Sequence, residues 1–74
     1  MINTDLAANI RRYREQADLS QEAAARSIGV SWSTWNKWER AEVDIPTSRL
    51  SEIAEALNTT PPALLSPSAE SLSA

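Results

Sequence analysis

Apolar residues recur along this chain at the three-and-four spacing of helices rather than the alternation of strands. Leu6, Ile10, Tyr13 and Ala17 share one face of a segment predicted to be helical over 5–16. Asn3 or Thr4 is placed to cap it, and Asp5 complements the positive end of its dipole. Asp18 breaks that pattern, and Leu19 returns the chain to the core. Ser20 caps a second helix over 21–28, whose inner face of Ala24, Ala25 and Ile28 lets another helix come close. Gly29, the single glycine, suits a left-handed helix end; Val30 plugs the turn, and Ser31 caps a third helix over 32–40. Two short helices joined by so tight a connection form a helix-turn-helix. Beyond a loop through Glu42–Pro46, Thr47 is the expected cap of a helix over 48–57. There Leu50, Ile53, Ala54 and Leu57 match the amphipathic template, and Asn58 is the stop. Thr60 followed by Pro61 opens a short helix over 61–65 carrying Leu64 and Leu65. The expected fold is therefore all-α, a compact five-helix domain over residues 1–65. A Ser/Pro/Ala tail, or the start of a linker, is expected over 66–74.

The third helix is the most informative. At roughly 100° per residue, Ser33, Asn36, Lys37 and Arg40 gather into a strip about 100° wide, with Trp35 and Trp38 behind it and Trp32 on the margin. Apolar bulk on one side and donors on the other allow the helix to anchor in a small core and offer its strip to the major groove of DNA. Asn can bond adenine N6 and N7 together, Lys can reach guanine O6 or N7, and Ser33 is small enough to permit close approach.

Composition narrows the classes. The chain has 74 residues, no cysteine and no histidine. Disulfides, the usual zinc sites, and Ser–His or Cys–His nucleophile pairs are thereby removed, so neither an enzyme nor a cofactor is expected. No apolar run approaches the ~20 residues of a membrane span, and a cytoplasmic protein is expected. The net charge of −3 at first argues against nucleic acid. Its distribution softens that objection, because residues 1–40 carry +1 and residues 41–74 carry −4. Binding needs a local positive surface, although a low total weakens non-specific affinity.

The set Ile10-Arg-Arg-Tyr-Arg14, Leu19-Ser-Gln-Glu22, Ala25, Ile28-Gly-Val-Ser31, Thr34, Trp38-Glu-Arg40, Pro46-Thr47 and Ile53-Ala-Glu-Ala-Leu57 resembles the lambda-repressor-like Cro/CI (XRE) helix-turn-helix family over about residues 4–65. The resemblance implies that Gln21 clamps a phosphate and braces the recognition helix. Trp32, Ser33, Asn36 and Lys37 would occupy base-facing positions, and Thr34 and Arg40 phosphate-facing ones. Arg14 and Glu39 would form a structural ion pair tying the first helix to the end of the third. The chain departs from the family at Ala41, where glycine is usual and the third helix is expected to end differently. It departs again at Ala24 and Trp35, a small and a large residue that keep core volume about constant. Glu42 and Asp44 in the following loop would repel phosphate. At Trp32 three roles stay open: the core edge, thymine methyls, or a protein-binding patch.

The expected function is sequence-specific regulation of transcription, as a repressor of the phage Cro/CI kind. It would bind a palindromic double-stranded operator as a homodimer. One of Leu64 and Leu65 finishes the core, and the other is a candidate dimer contact. The alternative is a protein-interaction module, an antitoxin or anti-repressor partner for which DNA binding is secondary.

Overall fold

The computed structural model describes residues 3–67; most of the expected 66–74 tail lies outside them. Five α-helices follow one another: α1 (Thr4–Gln16), α2 (Gln21–Ser27), α3 (Trp32–Glu39), α4 (Leu50–Ala56) and α5 (Pro61–Leu65). No strand occurs among the described residues, and none of the helices is long and apolar enough to cross a membrane.

Side chains close the helix starts. Asn3, rather than Thr4, accepts the Leu6 amide at 2.9 Å. Ser20, Ser31 and Thr60 accept the amides of Ala23, Thr34 and Ala63 at 3.0, 3.1 and 3.3 Å. Each satisfies a first-turn donor that the helix itself leaves unpaired. The fourth helix departs from expectation. Thr47 does not cap it; instead Thr47–Arg49 form a 3-10 turn, and α4 begins at Leu50 without a side-chain cap. The tighter turn supplies a backbone bond, Arg49 N to Pro46 O at 3.0 Å, where a capping hydroxyl was expected.

The first four helices end alike. Asp18, Gly29, Ala41 and Asn58 all have positive φ, between 55° and 73°. Their amides bond back to Glu15, Arg26, Trp38 and Glu55. The next residues, Leu19, Val30, Glu42 and Thr59, bond to the carbonyls of Arg14, Ala25, Lys37 and Ala54. These are paired Schellman closures. Ala41 thus holds the conformation that a glycine would favour. The expectation that its presence changes the end of α3 is corrected, since the two backbone bonds fix the left-handed state despite the Cβ. Ile28 and Arg40 fall one residue outside the helices predicted to contain them, as C-cap residues.

The core unites Leu6, Ile10, Ala24, Ala25, Trp35, Trp38, Leu50, Ile53, Ala54, Leu57 and Leu64. Ala24 and Trp35 are both fully buried, and the Trp35 and Trp38 rings lie 5.7 Å apart at a 55° tilt. The α2–α3 pair packs most closely, and α1 lies against α3 and α5. Asn9, a fully buried amide with no precedent in the hydrophobic pattern, joins α1 to α5. Its Nδ2 donates to the carbonyls of Leu64 at 2.8 Å and Ser66 at 2.7 Å. Ser66 is therefore still fastened to the domain.

Candidate nucleic-acid interface

The four residues between α2 and α3, Ile28–Ser31, make the connection of a helix-turn-helix. Trp35 and Trp38 sink into the core and thereby turn the opposite side of α3 outward. Ser33 and Lys37 are exposed there and Asn36 is half-buried. These three side chains make no hydrogen bond or ion pair within the described residues, so their donors are available to a ligand.

A hydrogen-bonded chain beneath this strip fixes the angle of α3. The Glu39 carboxylate, only 3% exposed, receives the Arg14 guanidinium at 2.6 Å and 3.2 Å and the Trp35 indole N–H at 2.6 Å. It also receives the Gln21 amide at 3.0 Å. Arg14 donates once more to the Leu19 carbonyl at 2.7 Å, so one side chain joins α1, the α1–α2 turn and α3. A buried carboxylate is tolerable here because its charge is paired and its lone pairs are occupied.

Gln21 extends the chain to the surface, its Oε1 accepting the Trp32 indole N–H at 3.0 Å. It thus braces both ends of α3, while one N–H of its amide group stays uncommitted. Trp32 itself is 51% exposed. Thr34 accepts the Ser31 hydroxyl at 3.0 Å. Arg40, at the C-terminal end of α3, is exposed and paired with Glu42 at 2.8 Å, so a phosphate would compete with that carboxylate. The structure thus gathers Gln21, Trp32, Ser33, Thr34, Asn36 and Lys37 on and beside α3 and sets Arg40 apart in an ion pair of its own.

Leu64 and Leu65 separate completely. Leu64 is fully buried and is the one that finishes the core, so it offers no surface to a partner and drops out as a dimer candidate; Leu65 is 47% exposed and is the one left. Sequence reasoning missed two tethers. The Trp35–Glu39 bond has a signal, the i, i+4 spacing of facing groups on a helix. The Trp32–Gln21 bond spans eleven residues and has none.

A model of the helix-turn-helix domain family matches residues 5–66. The chain belongs to this family. The helix-turn-helix chain is 42% identical over 60 residues to the control protein C.SmaI of Serratia marcescens, spanning 81% of this chain and 71% of that one. Among solved structures it is similar to the hypothetical transcription factor NHTF from Neisseria, with a TM-score of 0.85 and 32% identity over 99% of this chain and 84% of that one. It is also similar to the restriction-modification controller protein C.AhdI of Aeromonas hydrophila. There the TM-score is 0.77 with 26% identity, covering 82% of this chain and 92% of that one. The same fold forms part of an enzyme as well. The hydroxypropylphosphonic acid epoxidase of S. wedmorenis matches with a TM-score of 0.76 and 31% identity over 82% of this chain, but only 32% of the epoxidase. The helix-turn-helix chain is thus of the kind found in regulators of transcription, related to restriction-modification control proteins.

Proposed function

We propose that this protein binds DNA sequence-specifically and represses transcription as a homodimer on a palindromic operator, with α3 of each copy in one major-groove half-site. The observation that carries this reading is the outward strip of Ser33, Asn36 and Lys37. It has unspent hydrogen-bonding capacity and stands on a helix whose inner side is locked by two buried tryptophans and the Glu39 network. Asn36 and Lys37 read base edges, Ser33 permits close approach, and Gln21 and Thr34 position the phosphate backbone. Arg40 joins them by exchanging Glu42 for phosphate. The similarity to C.AhdI, a restriction-modification controller, and to the control protein C.SmaI supports restriction-modification genes as the regulated class. Residues 1–65 act as the DNA-binding unit.

Fluorescence anisotropy tests the proposal, using a duplex selected from a random pool with the full chain. The selected duplex should bind more tightly than an unrelated one, with affinity falling as salt rises. Asn36→Ala or Lys37→Ala should weaken binding by about tenfold, as expected for loss of one good base contact. Equal binding to random DNA, unaffected by either substitution, would sink the reading and leave the protein-partner alternative.

A further inference from the structure

We propose that Trp32 reads the C5-methyl group of a pyrimidine in the major groove and so sets part of the sequence preference. This rests on the DNA-binding reading above and names what the first turn of α3 recognises.

Trp32 and Asn36 are one helical turn apart, so their side chains are neighbours on α3. The ring therefore borders the strip assigned to base reading, beside the exposed Ser33. An indole has one hydrogen-bonding atom, its N–H donor. In Trp32 that donor is spent on Gln21 Oε1 at 3.0 Å. Trp32 is 51% exposed, and its indole now offers a base no hydrogen bond, only carbon and its attached hydrogens. Most base-edge features of the major groove are donors and acceptors, and the bulkiest apolar one is the methyl group on C5 of thymine, where cytosine has only a hydrogen. A methylated cytosine carries the same group at the same ring position. An apolar edge placed there discriminates by burying that methyl, or by failing to where it is absent.

The bond to Gln21 also holds the ring in place. Gln21 is itself held by Glu39, and Glu39 by Arg14 and Trp35, so the indole is fixed to the buried network rather than swinging from an exposed helix start. A fixed ring pays less ordering entropy on contact and tolerates less variation in the methyl's position. Gln21 is left with an uncommitted amide N–H for the phosphate backbone. The two side chains thus divide the work, one on the backbone and one on a methyl.

The experiment uses the selected duplex and the full chain. Thymines are replaced one at a time by deoxyuridine, which removes only the methyl. One thymine in each half-site should show a loss of about fourfold in affinity, the worth of one buried methyl. Trp32→Ala, whose fold is checked by circular dichroism, should bind the thymine and deoxyuridine duplexes equally at that position. Trp32→Gln serves as a second variant with the same expected loss of discrimination. Cytosine and 5-methylcytosine are then compared there; a gain with 5-methylcytosine extends the ligand to a methylated base, and its absence confines the contact to thymine. A wild-type protein indifferent to every methyl, or a Trp32→Ala or Trp32→Gln variant that keeps the methyl effect, overturns the inference while DNA binding stands. A selection that enriches no sequence overturns the DNA reading and this inference with it.

Discussion

Ala41 is held at φ 55° where Asp18, Gly29 and Asn58 do the same work with residues better suited to it. An L-residue with an ordinary Cβ pays about 1–2 kcal/mol for the left-handed region. Ala41→Gly should therefore stabilise the domain by about 1 kcal/mol, seen as a rise of ~4–8 °C in Tm by thermal circular dichroism. The reverse substitution at the end of α2, Gly29→Ala, should lower Tm by a similar amount. A Cβ there would meet nothing within 4 Å, so the loss would be conformational and not steric. If both substitutions moved Tm in the same direction, the account of these helix ends would be wrong. At this scale the sequence was informative where residue chemistry and conformation agree. Gly29, Asp18 and Asn58 belong to types that enter the left-handed region readily, and each was read as a stop. Ala41 does not, and only the two closing bonds from its own amide and that of Glu42 explain why it goes there.

Helices are joined here by a few polar side chains as much as by the apolar core. Asn9 ties α1 to α5 through the carbonyls of Leu64 and Ser66. Because α5 has only five residues, it depends on such tertiary support. Asn9→Ala leaves those two carbonyls without that donor and should lower the opening free energy of α5 by about 1–3 kcal/mol. Hydrogen exchange would report this as faster exchange of the Leu64 and Leu65 amides, with the slowest amides of α1 changing less. The helices were legible from apolar spacing, because the pattern that buries a face also defines the helix, and α5 from its Thr60–Pro61 start. The start of α4 was not. Thr47 has the chemistry of a cap, yet the chain enters through a 3-10 turn after Pro46, and local sequence does not distinguish those two entries. Asn9 was invisible for a related reason, since a polar residue in an amphipathic helix reads as surface until its partner is placed. The candidate site divided in the same way. The outward strip followed from helical periodicity, and the Arg14–Glu39 pairing from the family resemblance. The resemblance also implied that Gln21 braces the third helix, but its partners, Trp32 and Glu39, need the angle between α2 and α3, which neither source provides.

At the scale of the whole molecule, charge and exposed apolar surface set what the domain can bind. The acidic second half keeps the total at −3, so attraction to DNA has to come from the face of α3 and its surroundings. The exposed Leu65 and Val43 border a groove shared with Leu6, Trp38, Ile45 and Leu50. Apolar exposure of this kind in so small a domain suits the second copy proposed above. Leu65→Lys should leave the helical circular dichroism unchanged, shift sedimentation equilibrium toward monomer, and weaken binding to a two-half-site duplex more than to a single half-site. Unchanged association would rule out this face as the dimer contact.

The unequal placing of the three tryptophans also gives the protein its own optical probes. Trp35 and Trp38 are shielded from solvent, whereas Trp32 stands half-open beside the outward strip of α3. Emission from the shielded pair follows the integrity of the core, and emission from Trp32 follows whatever approaches α3. A single unlabelled sample therefore distinguishes a variant that has lost its fold from one that has lost its ligand.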